Sequence, residues 1–128
     1  MHVQRNGPGG PGPEGSVLVG SFEIKGQPFN ALNGGPMFKF NESISFVVSC
    51  ESQQEVDELW AKLGAGGTAG QCGWLKEKFG LSWQIVPREF FEMASDPDAA
   101  KAGRVMAAMM QMTKFDIAAL RRAYEGRP

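Results

Sequence analysis

The strongest constraint in this sequence is a change of pattern at Pro87. Before it, short β-prone runs are broken every few residues by glycine turns. After it, apolar residues recur at helical spacing, and only Gly103 and Gly126 of the 17 glycines remain. Strands gathered in one part of a chain and helices in another imply an α+β fold.

Residues 1–15 contain NGPGGPGPEG, which offers almost nothing to bury and reads as a flexible Gly/Pro-rich arm, with Val3 to Arg5 as the tail of a strand. SVLVGSFEIKG and QPFNALNGG then form an antiparallel hairpin turning at Lys25-Gly26 and ended by Asn33-Gly34-Gly35-Pro36. A strand over Ile44 to Cys50 leads into a helix opened by Glu51, Ser52 and Gln53. Val56, Leu59, Trp60 and Leu63 form its apolar stripe, and it stops in GAGGTAG. QCGWLKEKFGLSWQIVP supplies two strands of roughly six residues around a turn near Lys78-Phe79-Gly80, with Pro87 ending the second. The helical part holds a short helix at Phe90, Phe91 and Met93, a second opened by Asp96-Pro97 with Pro97 at its first position, and a third from Phe115 to Tyr124 capped by Asp116. Met106, Met109, Met110 and Met112 form either a soft ligand-binding surface or ordinary helix packing, the second being the simpler account.

Composition excludes several functions. The 13 Lys and Arg against 14 Asp and Glu leave a net charge of -1, which gives no electrostatic case for nucleic acid. The 128 residues suit one domain or one folded subunit, and 42% hydrophobic residues supply a core. Cys50 and Cys72 have neither the number nor the spacing of a disulfide scaffold or zinc knuckle, so a reducing, cytoplasmic setting is expected. There is no apolar run of about 18 residues and no apolar opening segment, so no membrane association or secretion is expected.

GPGPEGSV, the ALNGGP and FKF stretch, ISFVV with the following acidic helix, QCGWLKEKFGLSWQIVP and the RVM-to-Leu120 helix together closely resemble the PhnB-like family. This family is also labelled 3-demethylubiquinone-9 3-methyltransferase domain proteins and lies within the vicinal oxygen chelate superfamily of glyoxalases and bleomycin-resistance proteins. The resemblance runs from about Gly12 to Gly126, and QCGWLKEKFGLSWQIVP is its most specific part. It implies paired β-α-β-β-β modules whose curved sheets enclose a ligand cavity. On that basis residues 16–87 form a glyoxalase-like sheet domain, with a partial first module over 16–36 and a second over 43–87. Residues 88–128 are a helical tail packed on the same domain or on a partner. The first module would lack an opening strand and helix, so a sheet edge is expected to be covered by a partner in a homodimer.

Superfamily enzymes hold a divalent metal with His and Glu on facing strands. Here the resembling positions are Ser43 and Gln84, neither a strong ligand, and the single histidine, His2, lies in the arm. No metal ligands and no cofactor are therefore assigned, although a divalent metal on atypical ligands is retained as an alternative. Gln84 is the leading ligand-binding residue and a weak catalytic candidate, with a structural hydrogen bond as its competing role. Trp74, Phe79 and Phe40 are candidates for an apolar cavity wall, and Asn33 either caps its turn or faces the cavity mouth. Cys72, placed on the strand face shared with Trp74, is a nucleophile candidate without a histidine partner, and a small buried hydrophobe is its simpler role. GAGGTAG follows a helix and precedes a strand, the reverse of a nucleotide-binding turn. Three functions stay open: a small-molecule binder in a cavity without metal, a metal-dependent lyase, isomerase or dioxygenase with atypical ligands, and a dimeric structural or regulatory module.

Overall fold

Lys25 and Gly26 both hold positive φ, +48° and +83°, the pair required at the centre of a type I′ turn. They join the strands of the hairpin foreseen in the sequence. In the computed structural model, which describes residues 1–128, His2–Arg5 forms β1, Val17–Ile24 β2 and Gln27–Leu32 β3, an antiparallel sheet in that order. Residues 2–5, read as the tail of a strand within an arm, are thus a paired edge strand. Residues 7–15 loop around Asn6, which is 6% exposed. Its backbone N–H donates to Ser16 O at 2.8 Å, and its amide nitrogen donates to Ser16 Oγ at 3.0 Å. Gly10 and Gly12 are small for a reason: a Cβ on either would stand 2.9 Å from the Asn6 amide. These strands belong to one compact unit, Met1–Lys39, and the rest of the chain, Phe40–Pro128, forms another. The division falls inside the 16–87 span that the sequence suggests as one sheet domain.

In the second unit, Ser45–Cys50 (β4) leads into Gln53–Gly64 (α1), followed by Thr68–Ala69 (β5), Trp74–Lys76 (β6) and Ser82–Pro87 (β7). The sheet order is β4-β7-β6-β5, with β4 and β7 parallel and the remaining pairs antiparallel. The parallel pair requires the α1 crossover. Ser52 starts α1 by accepting from Glu55 N at 3.2 Å, while the Glu55 carboxylate accepts from Glu51 N at 2.8 Å, a reciprocal arrangement close to a capping box. Gly67 and Gly70 flank the two-residue β5. A Cβ on Gly67 would overlap the Lys76 carbonyl, and one on Gly70 would lie 3.0 Å from Trp74 O, so this glycine loop lets β5 approach β6.

β6 is shorter than the roughly six residues expected. Cys72 and Gly73 leave extended conformation, with φ of +57° and +80°, and their N–H groups donate to Met112 O and Thr113 O at 2.7 and 2.8 Å. Cys72 therefore precedes the strand in a turn and does not share a strand face with Trp74.

Arg88–Ala94 (α2), Ala99–Met109 (α3) and Ile117–Tyr124 (α4) share a core with this sheet: Cys50, Val56, Leu75, Ile85, Val86, Phe90, Val105, Phe115 and Leu120 are all buried there. The start of α3 differs from expectation. Asp98 is the cap, accepting from Ala100 N and Lys101 N at 2.9 and 3.3 Å, so Pro97 sits before the helix instead of at its first position. Asp116 caps α4 through Ala119 N at 3.0 Å. Phe115 before that cap and Leu120 after it, both buried, occupy the positions of a hydrophobic staple. Gln53 ties α1 to this helix start, donating to Phe115 O at 2.9 Å and accepting from Ile117 N at 2.8 Å. No helix is long and apolar enough to cross a membrane.

Candidate functional site

Strand alternation and register divide the second sheet into two faces. Trp83, Ile85, Leu75, Phe46 and Val48 share the face packed on α1, where Ile85 is fully buried and the Phe46 and Trp83 rings lie 5.4 Å apart. Ser45, Val47, Gln84, Ser82, Trp74, Lys76 and Thr68 share the other. Gln84 is thus on the face opposite Trp83 and Ile85, as alternation predicts.

Gln84 Nε2 donates to Ser45 Oγ at 2.9 Å, while its carbonyl oxygen accepts no hydrogen bond from the protein. The hydroxyl that meets Gln84 comes from Ser45, not Ser43. Ser43 lies ahead of β4 and donates through both its backbone N and its Oγ to Asn41 Oδ1 at 2.9 and 2.5 Å. An amide and a hydroxyl are poor ligands for a divalent metal, and no group of three or more His, Cys, Asp or Glu side chains gathers anywhere in the chain.

A recess of about 230 Å³ opens along β5 and β6, walled by Thr68, Ala69, Gly70, Trp74, Leu75 and Ser82, with Glu42 and Lys76 at its polar side; Gln84 and Ser45 do not line it. Trp74 is the register partner of Gln84, which places the amide next to the recess wall. Lys76 and Glu42 form an ion pair, and the hydrogen bond from Lys76 holds the Glu42 carboxyl below its ordinary range, so that carboxyl is ionised at neutral pH. The arrangement offers an aromatic surface, one cation, one carboxylate and two hydroxyl-bearing residues. That set orients a small ligand with both apolar and polar groups.

The other sequence candidates lie elsewhere. Phe79 is 76% exposed at the β6–β7 turn, with the Lys78 ammonium 5.1 Å from its ring centre. Glu77 shapes that turn by accepting from Phe79 N and Leu81 N at 2.9 and 2.8 Å. Phe40 is exposed near Gly80, at the same end. Asn33 belongs to the first unit, where its amide donates to Val17 O at 2.8 Å and closes the hairpin. Cys72 is half-buried beside Met110, outside the recess. Sequence reasoning singled out Trp74 and Gln84 on this face but missed Ser45, Thr68 and the Glu42–Lys76 pair. Only the folded sheet brings these residues together, and no local spacing signals it.

The 3-demethylubiquinone-9 3-methyltransferase family model matches residues 1–86. The chain belongs to this PhnB-like family. A solved structure of the PhnB protein from Bacillus cereus, whose own 3-demethylubiquinone-9 3-methyltransferase designation is provisional, is 30% identical to the chain. It superposes with a TM-score of 0.61 over 68% of this chain and 77% of that one. No protein of curated function matches. The fold is accordingly α+β, with the glyoxalase-like topology of the vicinal oxygen chelate superfamily.

Proposed function

We propose that this PhnB-like chain binds a small organic molecule in the recess beside Gln84, without a His/Glu metal set. The observation that carries the reading is the Lys76–Glu42 pair set against the Trp74 wall. A cation and an anion at the edge of an apolar recess can be re-paired by a ligand, the ammonium turning to an anionic or carbonyl group as the ring takes an apolar one. The volume, about 230 Å³, is below the usual range for a drug-sized ligand and favours a compact molecule. Gln84, the register neighbour of the Trp74 wall, is held by Ser45 and keeps its carbonyl as an acceptor for a ligand group that reaches past Trp74.

The same reading includes a homodimer, with residues 16–36 as a partial first module and residues 43–87 as a complete second one. Its support is the apolar surface of the hairpin, where Phe22, Ile24 and Leu32 are 38%, 44% and 66% exposed. The chain's two cysteines, with neither the number nor the spacing of a disulfide scaffold, support a reducing, cytoplasmic setting.

Ligand-observed NMR with small carboxylates and amides, on wild type and on Lys76→Met and Trp74→Ala, tests the site. Binding of one chemical class that both substitutions abolish is expected. Binding unaffected by either substitution removes the recess from the function. Sedimentation at micromolar concentration tests the dimer, and a stable monomer contradicts it.

A further inference from the structure

The four methionines between residues 106 and 112 divide into two kinds. Met109 and Met112 pack against the core, whereas Met106 and Met110 are 42% and 60% exposed. Packing therefore accounts for one pair and not the other. Met110 N donates to Met106 O at 3.1 Å, continuing the helical turn, so these residues stand at i and i+4 and their side chains share one face at the end of α3. Onto that face comes a third sulfur. The Cys72 turn is pinned by its N–H bond to Met112 O, and its left-handed backbone brings Sγ within 4.0 Å of Met110 Sδ.

We propose that Cys72, Met110 and Met106 form a binding site for a soft monovalent metal ion, Cu(I), separate from the recess beside Gln84. The geometry fits the chemistry. Two sulfurs 4.0 Å apart, each about 2.3 Å from a common ion, subtend an angle of about 120° at it, the angle of trigonal coordination. Met106 is one helical turn away on the same face and, with three rotatable bonds, supplies the third corner. Donor type selects the metal: one thiolate and two thioethers suit Cu(I), while Zn(II) and harder cations need imidazole, carboxylate or further thiolates, which do not cluster here. The ion binds as Cu(I) with no change of oxidation state, and the only bond broken on the protein is the Cys72 S–H, whose proton passes to solvent. The thiolate and the ion cancel in charge, so the site needs no neighbouring counter-ion. Cys50, the other thiol, is fully buried and takes no part.

The test is an anaerobic titration of the full chain with Cu(I), using a chromophoric Cu(I) chelator as competitor and ascorbate as reductant. One equivalent should be held in competition, and X-ray absorption should show an all-sulfur shell. Cys72→Ser should abolish retention, and Met110→Leu and Met106→Leu should each weaken it by about ten-fold or more. Met112→Leu and His2→Ala should leave it unchanged. Failure to hold Cu(I), retention by the folded Cys72→Ser variant, or wild-type affinity in both methionine variants overturns the proposal, the last by showing a thiol acting alone. Circular dichroism of each variant separates loss of the site from loss of the fold.

Discussion

Replacing Gly73 by alanine tests how the short β6 is produced. Gly73 holds φ of +80°, which costs an L-residue about 1–2 kcal/mol. A Cβ there would also stand 2.6 Å from Phe115 Cδ2 and 3.0 Å from Ile85 O. Neither neighbour can withdraw cheaply. Phe115 is 1% exposed, its ring lies 5.0 Å from that of Phe90, and Ile85 N donates to Gly73 O at 2.8 Å. Forcing a methyl into such a core adds about 1–3 kcal/mol, so Gly73→Ala should destabilise by about 2–5 kcal/mol in total. Urea unfolding followed by tryptophan fluorescence measures it. Gly103 is the control: it lies inside α3 with ordinary φ and nothing within 4 Å of a built Cβ, so Gly103→Ala should stabilise by about 0.5–1 kcal/mol. A cycle with Phe115→Leu isolates the contact, because shortening the ring should relieve the alanine and leave the double variant better than the sum by about 1 kcal/mol or more. If Gly73→Ala falls within about 0.5 kcal/mol of wild type, or if the two substitutions are additive, the close approach of Gly73 to Phe115 is wrong.

Three further outcomes are expected. Trp83→Ala should cost about 3 kcal/mol, the low end for a large aromatic because the side chain is only half-buried, while Trp83→Phe should cost less than about 1 kcal/mol. The phenylalanine removes a buried Nε1–H that has no acceptor, so a larger loss in Trp83→Phe by thermal unfolding would show that the indole nitrogen is paired. Gln84→Ala should leave the unfolding free energy within about 1 kcal/mol of wild type while abolishing binding of any small molecule found in the recess, and unchanged binding would reduce Gln84 to a partner of Ser45. Acid should weaken the helical part. Hydrogen bonds from Arg121 and Tyr124 hold the Glu89 and Asp96 carboxyls below their ordinary values, so the unfolded chain takes up these protons first. Their stabilisation is present above the unfolded values, near about 4, and is lost as pH falls through the lower folded values. Asp96 also raises the Tyr124 phenol, so that contribution is present below the unfolded tyrosine value, about 10, and is lost as pH rises through the higher folded one. Tyr124→Phe should remove the alkaline loss and part of the acid loss in urea midpoints measured across pH; an unchanged profile refutes the Tyr124–Asp96 coupling.

The sequence by itself determined the features whose causes lie within a few residues of one another. The Lys25-Gly26 turn, the Ser52 and Asp116 caps, the stripe of Val56, Leu59, Trp60 and Leu63, and the opposite faces of Gln84 and Trp83 all follow from local backbone preference and side-chain period. The family was legible too, through the resemblance carried by GPGPEGSV, QCGWLKEKFGLSWQIVP and the RVM-to-Leu120 helix. Tertiary structure decided the remainder. Cys72 leaves the strand because its N–H finds Met112 O, 40 positions along the chain, and that bond outcompetes extension of a short strand. Ser45 in place of Ser43 reaches Gln84 because the parallel register, which α1 closes, sets which turn of β4 stands beside β7. Glu42 meets Lys76 for the same reason. The methionine run is one pattern in sequence and two surfaces in space, since burial depends on what packs over a helix face, and period alone does not say which face will be covered.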